Sequence, residues 1–195
     1  MTQFSLFDRG PRILFEGATG RVDYTPDLVP ADVAHRWFTF LREHVAWHSE
    51  RRRMYEREVD VPRLTAQFRL DDPALPAAVA EAAVAIRAAV DAPFDSVGLN
   101  YYRDEQDSVA PHGDKLHLMV AGQPIALLSL GATRRMTIRA RQPPRRVLHI
   151  DLEPGSLLLM DYASQLHYDH GIPKQRTPVG PRISLALRVR GPRAA

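Results

Sequence analysis

The chain has 195 residues, 45% of them apolar and 25% charged, which suits one soluble globular domain with a core of its own. It contains no cysteine, so disulfides, thiolate-held zinc and iron–sulfur clusters are excluded. The formal charge is only +3 although the pI is near 9.5, and of the 26 basic residues only Lys115 and Lys174 are lysine. Arginine forks suit phosphates and permit a nucleic-acid partner, while a general bias toward arginine is the plainer account of the total. No run of roughly 18 apolar residues occurs, so no membrane-spanning helix is expected. The stretch from Met1 to Asp8 has no basic segment leading into an apolar one, and a cytoplasmic location is expected.

Residues 1–29 carry Pro11, Gly17, Gly20 and Pro26 among isolated apolar positions and read as an extended arm with one or two short strands. From Pro30, Val33, Trp37, Phe40 and Leu41 recur at helical spacing and predict an amphipathic helix to about His44. Residues 48–70 are polar and arginine-rich, with Arg51, Arg52, Arg53 and a Val61-Pro62-Arg63 turn, and predict a loop or loose hairpin. Asp72 is a candidate cap for a helix from Pro73 or Pro76 to Val90, which Pro93 ends.

After Pro93 the texture changes. Short strands are predicted at Val97–Tyr102, Ile125–Leu130, Met136–Ala140, Val147–Leu152, Ser156–Met160 and Ile183–Val189, several of them separated by Gly131, Pro143-Pro144 and Pro154-Gly155. So many short strands argue for a barrel or double-sheet jelly roll with the two helices packed on one sheet. The expected class is α+β with a mainly β core. One domain over 1–195 is expected, with an arm and helices in 1–92 and the jelly-roll core in 93–195.

His112-Gly113-Asp114 is the strongest chemical signal. On a strand, residues two apart share a face, so His112 and Asp114 can converge on one ion while Gly113 allows close backbone approach. Two imidazoles and a carboxylate can hold one face of a ferrous ion and leave the other open to a co-substrate and dioxygen. The residues alone leave the third ligand open among His117, His149, His167 and His170, and the histidine-dense segment Gln165–Lys174 favours the last two. Downstream, Arg182, Ser184, Ala186 and Arg188 alternate on one strand face and would set two guanidiniums inside a barrel, where they require an anion. Leu185 and Leu187 take the other face, so a solvated arginine face is the alternative.

In order and spacing, these residues resemble the AlkB-like Fe(II)- and 2-oxoglutarate-dependent dioxygenases. The resemblance runs through Phe4–Phe7, Trp47, Val61-Pro62-Arg63-Leu64 and Asn100-Tyr101-Tyr102. It continues through His112-Gly113-Asp114, Ser129-Leu130-Gly131, His170-Gly171-Ile172-Pro173 and the segment from Pro181 to Arg188. It implies a double-stranded β-helix core with an N-terminal substrate lid. It also implies His112, Asp114 and His170 as iron ligands, and Arg182, helped by Tyr102, as partner of the distal carboxylate of 2-oxoglutarate. Asn100 and Arg188 then sit at the carboxylate end nearer the metal, and Arg63, Phe68 and His167 are candidate substrate contacts. The implied chemistry is hydroxylation of a C–H bond with release of succinate and carbon dioxide. On an N-methyl group the product breaks down to formaldehyde and free amine.

Members acting on nucleic acid carry an acidic residue shortly after the His-x-Asp pair. Here the run is Asp114-Lys115-Leu116-His117, and the stretch after Pro62-Arg63 reads Thr65-Ala66-Gln67-Phe68-Arg69-Leu70. Both departures lie in the substrate-reading region. Clusters at Arg51–Arg53, Arg134-Arg135, and Arg139, Arg141, Arg145 and Arg146 are candidates to track a phosphate backbone. The expected partners are 2-oxoglutarate, dioxygen and alkylated DNA or RNA, with no membrane and a monomeric state. The alternatives are the same iron chemistry on a protein side chain or small molecule, and a jelly-roll binding protein without turnover.

Overall fold

The computed structural model describes residues 10–54 and 57–191, with the backbone alone at 50–54 and 57–60; the Phe4–Phe7 segment lies outside it. The N-terminal half forms β1 (Arg12–Gly17), β2 (Gly20–Thr25), α1 (Ala31–His44), β3 (His48–Met54), β4 (Arg57–Arg69) and α2 (Ala77–Ala89). There follow β5 (Ser96–Tyr102), β6 (Val109–His112), a single 3-10 turn (Leu116–Leu118), β7 (Ile125–Gly131), β8 (Arg134–Ala140) and β9 (Val147–Leu152). The chain closes with β10 (Leu157–Met160), α3 (Tyr162–His167), β11 (Tyr168–Ile172) and β12 (Arg182–Arg188). Among the described residues no helix is long and apolar enough to cross a membrane.

Two antiparallel sheets face one another as a double-stranded β-helix. The larger runs β1-β2-β10-β7-β12-β5-β4-β3 and the smaller β6-β11-β8-β9. The large sheet is not confined to residues 93–195: β1 and β2 extend it beyond β10, and β4 and β3 extend it beyond β5. Residues 48–70 are therefore not a loose loop. They form a hairpin whose second strand is held along Leu64–Arg69 by β5. Polar strands of this kind lack the apolar alternation by which a strand is read from sequence.

The core is split by the large sheet. On its outer face, Ala34, Trp37, Phe38 and Leu41 of α1 and Val79, Ala82, Ala83 and Ile86 of α2 pack on Leu128, Leu130, Ile183, Leu185 and Leu187. Between the sheets, Ile125, Leu127 and Ala186 meet Met136, Ile138, Ile150 and Ile172. Strands β7 and β12 are thus buried on both faces, which is why Ile125–Leu130 reads as apolar but for Ser129. Trp37 Nε1 donates to Glu81 Oε2 at 2.7 Å and ties α1 to α2. The α1 helix matches its expected span, but Asp72 does not cap α2. Its carboxylate accepts from the Ala74 N–H at 2.8 Å in the preceding turn, and α2 begins after Pro76 without a side-chain cap.

Gly131 ends β7 at φ 82°, where a Cβ would lie 2.5 Å from the Pro181 carbonyl and 2.7 Å from the Phe38 ring. Neither a left-handed backbone nor a backbone carbonyl can be relieved by rotating a side chain. Gly131→Ala is expected to destabilise the fold by roughly 1–3 kcal/mol or more, read as a lower urea midpoint. An unchanged midpoint contradicts this packing.

Candidate active site

Strand β6 is a short edge strand, and Pro111 near its end cannot donate to a ladder. Its last residue, His112, pairs in register with His170 of β11, and the two rings lie 4.7 Å apart. Asp114 therefore stands past the strand end rather than on it, two residues beyond His112. Its Oδ2 lies 3.9 Å from His170 Nε2. Its Oδ1 accepts from Arg188 Nη2 at 2.7 Å and Nε at 3.0 Å. Among the described residues no three such side chains stand in finished metal-binding geometry, so the three approach one another pairwise.

The protonation states are set by these contacts. His112 Nδ1 is 2.9 Å from the Ala110 carbonyl, which can only accept, so Nδ1 is the donating nitrogen and Nε2 is left free of this contact. Burial, then the neighbouring His112, pulls His170 down to about 4, against the opposing pull of Asp114. It is a neutral imidazole at pH 7. Burial alone would raise the Asp114 carboxyl, but Arg188, then His170 and His112, hold it below its ordinary value. Asp114 Oδ2 is buried and has no hydrogen-bond partner.

Deeper between the sheets, Arg182 on the inward face of β12 is fully buried. Its Nη2 donates to Ser129 Oγ at 2.9 Å, its guanidinium sits 5.3 Å from the Tyr102 ring, and Nε and Nη1 have no partner. Burial pushes this arginine down to about 10, against the pull of Tyr102. Asn100 Oδ1 accepts from Arg63 Nε at 2.8 Å. A cavity of about 990 Å³ is lined by Arg63, Thr65 and Gln67 of β4, and by Asn100, His112, Asp114, Lys115, Lys174, Arg188 and Arg190. His170, Tyr102 and Arg182 are buried outside this lining.

The alternation at Arg182, Ser184 and Ala186 thus faces inward, and the solvated-face alternative is excluded. Two candidate substrate contacts lie elsewhere. Phe68 has the opposite strand parity to Thr65 and Gln67 and packs with the helix-side core. His167 is exposed at the end of α3 and does not line the cavity. His117 is exposed on the 3-10 turn, and His149 is exposed on β9, 3.2 Å from Thr137 Oγ1. Arg134 does not track a surface phosphate. It is fully buried, donates to the Asp104, Asp107 and Pro173 carbonyls and lies 5.5 Å from the Tyr102 ring. Its shared parity with Met136 and Ile138 was the signal for an inward position, whereas Arg135 pairs with Asp151 outside. Arg139, Arg145 and Arg146 are exposed, and Arg51–Arg53 lie outside the described side chains.

A family model described as the 2OG-Fe(II) oxygenase superfamily matches residues 39–188. The chain belongs to the 2OG-Fe(II) oxygenase superfamily. It is 34% identical over 102 residues to the DNA oxidative demethylase ALKBH2 of Bos taurus, covering 49% of this chain and 37% of that protein. It is 37% identical over 103 residues to the alpha-ketoglutarate-dependent dioxygenase alkB homolog 3 of Mus musculus, covering 49% of this chain and 36% of that protein. The matched region is thus well under half the length of these curated relatives. A solved structure of OsALKBH1 superposes with a TM-score of 0.61 at 14% identity, over 86% of this chain and 97% of that one.

The residues fit what this superfamily's description names. A bare, ionised oxygen on Asp114 beside neutral His170 and the His112 imidazole is a donor set suited to a ferrous ion. The two unpartnered N–H groups of buried Arg182 suit a carboxylate. The state of His170 also sets a pH dependence of folding. Its folded pKa lies below the ordinary 6.5, so the unfolded chain binds the proton more readily. The stability tied to this residue is therefore present above about pH 6.5 and is lost as pH falls toward about 4. His170→Gln is expected to lose less stability than the parent between about pH 7 and about pH 5 in urea titrations. Equal losses contradict the buried, neutral state.

Proposed function

We propose that this chain is an Fe(II)- and 2-oxoglutarate-dependent dioxygenase that oxidatively demethylates alkylated bases in DNA or RNA. The observation that carries the reading is the unpartnered Asp114 oxygen, held beside neutral His170 and in-register His112. His112, Asp114 and His170 would hold the iron. Arg182 with Tyr102 would take the distal carboxylate of 2-oxoglutarate, while Asn100 and Arg188 lie toward the end nearer the metal. Bound iron, with 2-oxoglutarate and dioxygen, supplies hydroxylation of a C–H bond with release of succinate and carbon dioxide, and a hydroxylated N-methyl group then leaves as formaldehyde.

The chain's own groups prepare that chemistry. Arg188 keeps Asp114 ionised and orients its free oxygen, and the Ala110 carbonyl fixes the donor face of His112. Ser129 steadies Arg182 through a single bond and leaves its other N–H groups for an anion. The cavity is large for a five-carbon diacid alone and carries Arg63, Lys115, Lys174 and Arg190, which suits a second, anionic substrate such as a nucleic-acid strand. The likeness to a DNA oxidative demethylase supports the same choice. One observation favours a second reading. The wall formed by Arg63, Thr65 and Gln67 is polar, which suits the same chemistry on a polar small molecule or a protein side chain.

Formaldehyde release from single- and double-stranded oligonucleotides bearing 1-methyladenine or 3-methylcytosine decides between the two. Release dependent on Fe(II) and 2-oxoglutarate is expected; none across the panel contradicts the nucleic-acid reading. His112→Ala and Asp114→Ala should each abolish turnover while leaving the fold intact, and activity retained in both contradicts the ligand assignment. Arg182→Ala should weaken 2-oxoglutarate by about 10–100-fold, the worth of one or two charge-assisted hydrogen bonds.

A further inference from the structure

Arg141 is the first residue beyond β8, and it reaches both segments that carry the candidate iron ligands. Its backbone N–H donates to the His167 carbonyl at 2.9 Å, and its Nη1 to the Leu166 carbonyl at 3.1 Å. Its Nε donates to Asp169 Oδ1 at 2.9 Å, on the residue immediately before His170. The other side of the same guanidinium lies against Gly113, between His112 and Asp114. A Cβ at Gly113 would collide with Arg141 Nη2, while the next atoms outside that side chain begin with the Gln165 carbonyl at 3.3 Å. Gly113 is not in the left-handed region, so its backbone conformation does not demand glycine. A side chain there would require the tip of Arg141 to move away.

The electrostatics fit the same role. A lone guanidinium beside a divalent cation would oppose its binding, and the contact with Asp169 offsets that charge. The arrangement also answers a mechanical weakness. Asp114 lies past the end of a four-residue edge strand, with no ladder of its own to fix it. Its carboxylate is held by Arg188, but the peptide that joins it to His112 needs a separate stop.

We propose that Arg141 is a positioning residue for the metal site: its guanidinium, neutralised by Asp169 and accommodated by Gly113, locks the His112–Asp114 segment against the strand bearing His170. This rests on the assignment of those three residues as iron ligands. Outer partners of metal ligands typically govern about 10–100-fold in metal affinity. A partly exposed ion pair contributes little to global stability. The two effects separate a positioning role from a structural one.

The test adds Co(II) alone to the full chain and follows its visible absorption and dissociation constant. Arg141→Ala should weaken Co(II) by about tenfold and alter the spectrum, with the urea midpoint nearly unchanged. Gly113→Ala should weaken it comparably, because the arginine must move. Gly113→Ala combined with Arg141→Ala should be no weaker than Gly113→Ala alone, since the collision is then gone. Parental affinity and spectrum in Arg141→Ala, or two losses that multiply in the double variant, overturn the proposal while leaving the ligand assignment standing. If the parent itself takes up no Co(II), the ligand assignment falls and the proposal with it.

Discussion

The structure turns on one carboxylate. Asp114 is almost withdrawn from water yet ionised, with one oxygen held by two N–H groups of Arg188 and the other bare beside His170. Taking a charge out of water is costly, and an ion pair that leaves one oxygen unpartnered recovers only part of that cost. The arrangement is economical only if a cation completes it. Each neighbouring element contributes to that corner: β12 brings Arg188, β6 ends at His112, and β11 sets His170 opposite in register. A sheet that closes over an apolar core would not otherwise collect a carboxylate, two imidazoles and an arginine at one end.

The same logic separates two buried arginines that flank Tyr102. Both lie fully out of water and at similar distances from the phenol ring, 5.5 Å for Arg134 and 5.3 Å for Arg182. Arg134 gives both terminal nitrogens to three backbone carbonyls, leaves only Nε unpartnered, and staples β8 to the loops around Asp104, Asp107 and Pro173. Arg182 makes one bond to Ser129 and leaves two N–H sites open. The cation with more of its buried donors unpartnered is the one suited to an anion, and the one tied to three carbonyls acts as a strut. Arg182 is accordingly the residue we propose for the distal carboxylate of 2-oxoglutarate.

Much of this was legible in the amino-acid order, and the failures have physical causes. Both long helices and strands β5, β7, β8, β9, β10 and β12 announced themselves by period and by proline and glycine breaks. The inward face of β12 could not be decided from its own residues, because a strand buried on both faces shows apolar residues at Leu185 and Leu187 whichever way the arginines point. Strands β6 and β11 were invisible since they are short, polar and made of ligand-bearing residues. Their chemistry replaces the alternation that marks a strand. Strand β4 was hidden for a similar reason: its cavity wall is polar, and only its parity separates Gln67 from Phe68. The residues alone left the third ligand open and the family resemblance pointed to His170; its in-register pairing with His112 is a feature that no local spacing encodes. The contact of Arg141 with Gly113 likewise joins residues far apart in sequence.

We propose that this corner binds iron and, with it, converts 2-oxoglutarate to succinate. The most direct measurement is succinate formation from 2-oxoglutarate by the full chain in air, with and without added Fe(II), in the presence of the methylated oligonucleotides. Succinate that requires Fe(II) and disappears in Asp114→Ala is expected. Succinate no higher with iron than without it, on every substrate offered, would contradict it.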